Sequence, residues 1–593
     1  MKEIQALTDY MKTTVAYKAG LLLIDSRNSL KSAFLLPLSL YRLNKAYKKY
    51  QFNSHKNAVN PHLYDDEILE IILCKTENIY EHLQSKNRSD NEIAHLLIEA
   101  SRVSLKISSS KTRRLAEEAY RIAKTTSLKK RAAILMYDGG SIITTSKHLS
   151  TLGLTNASTD DVKVQKIFDE EAISRNGFAL INKQIRRTGY KKGKIAYISH
   201  LCVPFHTSGY ATRTHSILQE LSRSGAEVVC ITRPGYPWDR ADSRNLHDVK
   251  NTNEIENVIY RHISGPNISG SGILRFVEEA ATKLIEMLKS ETPEYVVAGS
   301  NYVNALPALI ASRHLGIDFI YDVRGLWEYT SASKIQGWEQ TDRFNLSRNL
   351  ETLVANASDA IFAISSPLKD ELISRGVQAE KIKLLPNGVH LEKFDVPLQS
   401  NEMRHHLNIG INTVVYGFIG SLEVYEGLED VLHSFKMVLD TGVDCKLVIV
   451  GDGACSSVVS ELTLSLGISE FVHLTGRIPF SEVNQYYCLC DVFVYPRVET
   501  AVTKIIPALK PLEAMAARKP VIISRLPALI ELVGGVQNAE VVQPGNCTEI
   551  SNAMLRLCDE EKRNKLGLNG YNYVSKEKTW QSTCSAIKEM ILK

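Results

Sequence analysis

The chain has 593 residues, of which 44% are hydrophobic and 23% charged, and a formal net charge of +5. These are ordinary globular proportions, which exclude wholesale disorder, and the length calls for several domains, about three to four at usual domain sizes. So slight a positive charge on so long a chain argues against a nucleic-acid partner, which a concentrated basic face would signal.

The ten cysteines are scattered, with Cys488 and Cys490 the one close pair, so neither zinc-ligand spacing nor a disulfide framework is expected, and no metal site. No secretory leader is seen, and no apolar run approaches the about 20 residues that span a bilayer. A reducing, cytoplasmic setting is the expectation.

Residues 1–190 read as helical, because 65–83, 91–107 and 113–123 repeat apolar residues at helical spacing. LAEEAYRIAK followed by LKKRAAILMYDGG resembles a tetratricopeptide hairpin, but a solenoid needs about three stacked units. Plain helical packing is therefore expected. Residues 30–50 couple an apolar stretch to Arg42, Lys45, Lys48 and Lys49. Such a segment either makes a peripheral membrane contact, at the inner face, or packs on its own domain with a solvated basic flank.

From Gly193 short β-runs alternate with helical segments, the pattern of βαβ units around a parallel sheet. KIAYISH, a loop, RTHSILQELSRSG and AEVVCIT form the first unit. Ser208 and Gly209 fall in its strand-to-helix loop, where glycine admits close backbone approach and the helix start offers N–H groups to an anion. YVVAGS, DFIYDV, AIFAIS and KIKLLP complete a domain over 191–395. A second series, VVYGFIGS, CKLVIVGDG, FVHLTGRI, DVFVYP and PVIIS, makes another over 396–575, with 576–593 a final helix crossing back to the first.

The expected fold class is thus α/β, two tandem Rossmann-like domains behind an all-helical N-terminal extension. Their cleft, between the carboxyl ends of two sheets, suits a nucleotide on one side and an acceptor on the other. A dinucleotide oxidoreductase is disfavoured, because GDGACSS after LVIV has only the first two glycines of G-x-G-x-x-G. Within PALKPLEAMAARKPVI (507–522), Glu513 opens a helix beside a βα crossover. A carboxylate there can accept from two adjacent hydroxyls such as those of a ribose, while Ala514, Ala516 and Ala517 let the helix approach the sheet. Alone, the segment reads equally well as an amphipathic helix with one solvated Glu.

LPNGVHLEKF (385–394), YGFIGSLEVYEGLEDVL (416–432), LVIVGDG (447–453), VHLTGRIPFSEVNQYYCLCDVFVYP (472–496) and KPLEAMAARKPVI (510–522) follow one another in an order that resembles the retaining glycosyltransferases of family 4. That family has the two-domain glycosyltransferase-B fold, and YEGL and PLKPLEAMA resemble a bacterial subgroup of surface-polysaccharide assembly. The resemblance implies a nucleotide-diphosphate sugar as donor, a glycan or lipid-linked glycan as acceptor, and no metal or other cofactor. It puts Glu513 on the donor ribose, Arg477 and Ile478 at the base, and Gly420 and Ser421 near the diphosphate. Ser208 and Gly209 would approach the donor from the first domain, with Asn387 lining the cleft near the hinge. Transfer would be a front-face displacement with retention, without an enzyme nucleophile.

The chain departs from the family pattern at several positions. The Arg and Lys usually aimed at the leaving phosphate are Ser421 and Glu426, and the first of two usual glutamates is Ile505. Residues 497–509 form a longer segment than usual. Arg518 replaces a usual glycine, and YDVRGLWEY offers Asp322, Arg324 and Glu328 where a histidine is common. Relocated cations are expected among Arg497, Lys504, Lys510 and Arg324, the last facing the cleft from a strand end. Glu499 is a candidate donor-sugar contact, and Asp322 or Glu328 an acceptor contact. The alternatives are a non-catalytic nucleotide-binding scaffold, or an epimerase or phosphorylase on the same fold.

Overall fold

A computed structural model of the chain describes residues 68, 71, 72, 79–156, 159–185, 189–206, 208–240, 249–394 and 400–591. The basic segment 30–50 and most of 65–78 lie outside the described residues. The chain divides into two compact units: one holds the described residues up to Leu154 with Lys334–Thr341, and the other holds Thr155–Ser333 and Asp342 onward.

In the first unit, helices Asp90–Ser104, Ser109–Ile122 and Thr126–Asp138 pack in succession. Each has its own N-terminal stop: Ser89 and Glu92 close a capping box, and the Ser108 and Thr125 hydroxyls accept from Lys111 and Leu128 N–H groups. Ile93, Leu97, Leu115, Ala119 and Met136 are buried. Ser109 N–H donates to the Gln336 carbonyl at 3.0 Å, which ties the distant 334–341 segment to these helices. The helical unit therefore ends at Leu154 rather than at residue 190. Helix Val162–Asn176 instead packs on helices Ile273–Glu291 and Asp342–Ala357 of the second unit.

The second unit contains two sheets. The first comprises β1 (Lys191–Ser199), β2 (Glu227–Thr232), β3 (Thr252–Ile255), β4 (Val258–Arg261), β5 (Pro293–Gly299), β6 (Asp318–Val323), β7 (Ala360–Ala363) and β8 (Ile382–Leu384). Their order is β3-β4-β2-β1-β5-β6-β7-β8, parallel except for the β3/β4 hairpin. The second comprises β9 (Val414–Ile419), β10 (Cys445–Val450), β11 (Val472–Gly476), β12 (Val492–Tyr495), β13 (Val521–Ser524) and β14 (Glu540–Val542), in the order β11-β10-β9-β12-β13-β14. Helices cover both faces, so central strands such as β9 are buried along their whole length.

Both sheets reverse direction beside their first strand, between β1 and β5 and between β9 and β12. Ligands in open α/β sheets bind outside the carboxyl ends of the strands at such reversals. His200 to His206, Ser208 and Gly209, with Ser300 and Asn301, follow the first pair, and Gly420 to Gly427 and Pro496 to Leu509 follow the second.

Among the described residues, two segments and a contact from Glu531 of helix Pro527–Val533 join the sheets besides the linker. Helices Trp580–Thr583 and Ser585–Ile591 return to the first sheet, where Trp580, Cys584, Ile587 and Ile591 share a core with Ile195, Tyr197 and Val228. Lys588 pairs with Glu220 at 2.6 Å on that face. The second connection is the long 497–509 segment, hereafter the strap. Its helix Ala501–Ile505, opened by a Thr500/Thr503 capping box, packs on helices Ser366–Ser374 and Trp327–Ala332. Ile505 is 9% exposed and belongs to the first sheet's core, not the second's. Ser365 Oγ donates to the Ile505 carbonyl at 2.5 Å, and Glu531 accepts from Ser366 N–H at 2.9 Å.

Candidate active site

Glu513 lies in the first turn of helix Lys510–Ala516, whose Ala514, Met515 and Ala516 are buried against the second sheet. Its carboxylate accepts from the Tyr487 hydroxyl at 2.6 Å, which fixes its direction while leaving the residue partly exposed. Burial raises its pKa above the usual carboxylate range, opposed by the Tyr487 hydrogen bond and by Lys510 and Lys393. Tyr487 was not singled out in the sequence. Its signal is the FSEVNQYYCLCD stretch, where helix Val483–Leu489 buries one tyrosine of the pair and leaves Tyr486 partly exposed.

Gly420 closes β9, and a side chain there would collide with the Lys510 ammonium, so Lys510 and the Gly420–Ser421 backbone are brought together. Ser421 is exposed in the loop that follows. Arg497 is 8% exposed and binds Glu426 through two nitrogens, at 2.7 and 3.2 Å. Lys504 is spent on Glu499 at 2.7 Å, a pair of half-exposed side chains on the strap. Arg477 is exposed just beyond β11, and Ile478 packs against the second core.

On the first domain, Ser208 is the exposed N-cap of helix Gly209–Arg223 and makes no side-chain capping bond. Asn387 is 4% exposed, its carbonyl oxygen accepting from Arg213 at 2.9 Å. Arg213 also donates to the Pro386 carbonyl at 2.9 Å and lies over the Trp580 ring. Asn387 thus belongs to the packing of the hinge rather than to an open wall.

The expectation that Arg324 faces the cleft is corrected: it turns inward and is 4% exposed. It donates to Asp322 at 2.8 Å, to Thr214 Oγ1 at 2.7 Å, to the Tyr210 carbonyl at 2.9 Å and to the Tyr197 hydroxyl. The reason is Asp322, 0% exposed at the end of β6, which needs a cation to be buried ionised. Burial pushes the Asp322 carboxyl up, but Arg324 and Arg213 outweigh it and the pKa is lowered. Glu328 is likewise buried, at 1% exposure, with Arg375 at 2.7 Å. Neither carboxylate is open to an acceptor in this arrangement.

His200, at the carboxyl end of β1, was not anticipated. Its ring meets Trp327 edge-on at 5.5 Å, Nδ1 is buried without a partner, and burial with nearby Arg233, Arg240 and His206 lowers its pKa to about 3. Among the described residues no three or more His, Cys, Asp or Glu side chains converge as a metal site. No helix among them is long and apolar enough to cross a membrane.

Residues 208–388 match the model of the glycosyl transferase 4-like domain, and 413–560 match that of glycosyl transferases group 1. The capsular polysaccharide biosynthesis glycosyltransferase CapM of Staphylococcus aureus is 25% identical over 322 residues, 52% of this chain and 79% of that protein. The D-inositol 3-phosphate glycosyltransferase of Corynebacterium diphtheriae is 22% identical over 387 residues, 63% of this chain and 87% of its own. Among solved structures, sucrose-phosphate synthase from Thermosynechococcus elongatus superposes with a TM-score of 0.55 at 18% identity, covering 68% of this chain and 98% of that one. Anabaena Alr3699/HepE in complex with UDP-glucose gives 0.53 at 16% identity, covering 67% and 99%. The two sheets thus match, in chain order, a glycosyl transferase 4-like domain and a glycosyl transferases group 1 domain, and they have the glycosyltransferase-B fold, which supports a glycosyltransferase.

Proposed function

We propose that the protein moves a sugar from a nucleotide-diphosphate donor to a glycan or lipid-linked glycan acceptor, with retention and without a metal, in surface-polysaccharide assembly. The observation that carries the donor half is the Glu513 carboxylate, held by Tyr487 beside the Lys510 ammonium at the carboxyl end of the second sheet. A carboxylate accepts from two ribose hydroxyls, and a cation one turn earlier on the same helix meets the phosphates. As the bond from sugar to diphosphate breaks, negative charge grows on the leaving oxygen. Lys510, lying against the Gly420–Ser421 turn, is preorganised for that charge, which lowers the barrier. The complexed HepE structures name UDP and UDP-glucose, and CapM is named for capsular polysaccharide biosynthesis, which supports a donor and product of these classes.

The test is transfer by the purified chain. It is incubated with UDP-, GDP- and ADP-sugars and with polyprenyl-linked glycans, and products are resolved by mass spectrometry and anomeric NMR. A product with the donor's anomeric configuration, formed in the presence of a chelator, is expected. Inverted product, or none with any donor, contradicts the proposal.

A further inference from the structure

Glu426 stands where the family resemblance calls for a lysine, and it is 2% exposed. A lone carboxylate there would be costly to bury and would repel a diphosphate. It is not alone. Arg497 grips it with a two-nitrogen fork at 2.7 and 3.2 Å, and Lys510 Nζ stands 3.9 Å from Oε1. Burial raises the Glu426 pKa, but Arg497 and Lys510 outweigh it and hold the carboxyl below its usual range.

The arginine is fixed from other directions too. Its remaining nitrogen donates to the Ile506 carbonyl at 3.1 Å, and its guanidinium lies over the Tyr425 ring at 5.4 Å from the centroid. Val498 N–H donates to the Tyr425 carbonyl at 3.0 Å. At Gly427, φ is +75° and a side chain would run into the Pro496 carbonyl, so the 420–427 loop and the strap are in direct backbone contact. An arginine has five N–H donors, and the bonds to Glu426 and Ile506 engage three of them, one on each nitrogen. Arg497 arrives from the strap and Lys510 from the helix that follows it, while the 420–427 loop contributes the Glu426 carboxylate.

We infer that Glu426 is a positioning residue: it holds Arg497 and Lys510 as the cation pair for the donor diphosphate, in place of a pair carried by the 420–427 loop itself. This rests on the nucleotide-sugar reading above. It also gives the strap a role, since docking of Ile505 on the first domain and placement of Arg497 through the Ile506 carbonyl belong to neighbouring residues.

The experiment is calorimetric titration of the full chain with UDP and uridine, and with GDP and guanosine, so that the phosphates' contribution is the ratio of the two affinities. Wild type prefers one diphosphate over its nucleoside. Glu426→Gln lowers that preference about tenfold, the worth of one charge-assisted hydrogen bond, with nucleoside affinity unchanged, and Lys510→Met does the same. A carboxylate that were merely a nearby negative charge would give the opposite sign, since its removal would tighten diphosphate binding. The exchanged pair Glu426→Lys with Arg497→Glu keeps the ion pair and restores the preference, and it is the deciding variant if Glu426→Gln does not fold. An unchanged or increased preference in Glu426→Gln, or an exchanged pair as weak as Lys510→Met, overturns the inference and leaves the donor reading standing. Absence of diphosphate binding by wild type overturns both.

Discussion

Replacing Ile505 by alanine tests whether the strap joins the two α/β domains as a packed element. Ile505 is 9% exposed within the first domain's core, although its neighbours in sequence belong to the second. The change deletes three carbons, about 2.4 kcal/mol at about 0.8 kcal/mol per buried methylene. The unfilled cavity raises the cost to about 3–4 kcal/mol. For domains of this size each kcal/mol lowers Tm by about 2–4 °C, so scanning calorimetry should show a drop of about 6–16 °C. Limited proteolysis should at the same time cut within 497–509 faster than in wild type. Lys504→Ala is the control: its pair with Glu499 is half exposed, and such pairs contribute about 0–1 kcal/mol. A Tm within 1 °C of wild type for Ile505→Ala, with unchanged cleavage, would refute the docking.

The other consequences concern the buried charges and the Glu513 clamp. Asp322→Ala leaves Arg324 and Arg213 without their buried partner, and should cost about 3–5 kcal/mol in urea melts; a loss below about 1 kcal/mol would mean that the network is solvated. Glu351 is buried beside Glu328, and its pKa rises to about 8. The folded state therefore keeps a proton that the unfolded chain loses near pH 4.3, so stability should fall as pH rises from there to about 8 and level off above. Glu351→Gln should flatten that part of a Tm-against-pH curve, and an unchanged slope would remove Glu351 as its cause. Tyr487→Phe releases the Glu513 carboxylate and should weaken nucleotide binding about fivefold, roughly one hydrogen bond, with little change in Tm. Equal affinity would show that Glu513 needs no such hold.

The two sheets were legible because buried parallel strands read as short apolar runs separated by helical periods, and β1, β5, β9 and β10 stand where those runs lie. The β3/β4 hairpin was not, since Glu256 and Asn257 turn it with φ of +47° and +65° in place of the usual glycine signal. The end of the helical unit at Leu154 depends on helix Val162–Asn176 packing on Ile273–Glu291 and Asp342–Ala357, contacts with no local pattern. The helix that carries Glu513 was legible from its alanines and flanking prolines, while the role of its carboxylate belongs to the proposal. Arg324 and Ile505 show the limit: sequence position named a strand end and a long loop, but the direction of each side chain follows from partners on other elements. Tyr197 and Thr214 draw Arg324 inward, and the first domain's core takes Ile505.

The central claim is that a nucleotide-diphosphate donor sits on Glu513. A thermal-shift panel of UDP-, GDP- and ADP-sugars, run on wild type and on Glu513→Ala, tests it most directly. A ligand at a hundredfold its dissociation constant stabilises the folded state by about 2.7 kcal/mol, so one donor class should raise wild-type Tm by several degrees. The account predicts that Glu513→Ala, with the same Tm when unliganded, loses most of that rise. An equal rise in both proteins, or none in wild type with any nucleotide sugar, would contradict it.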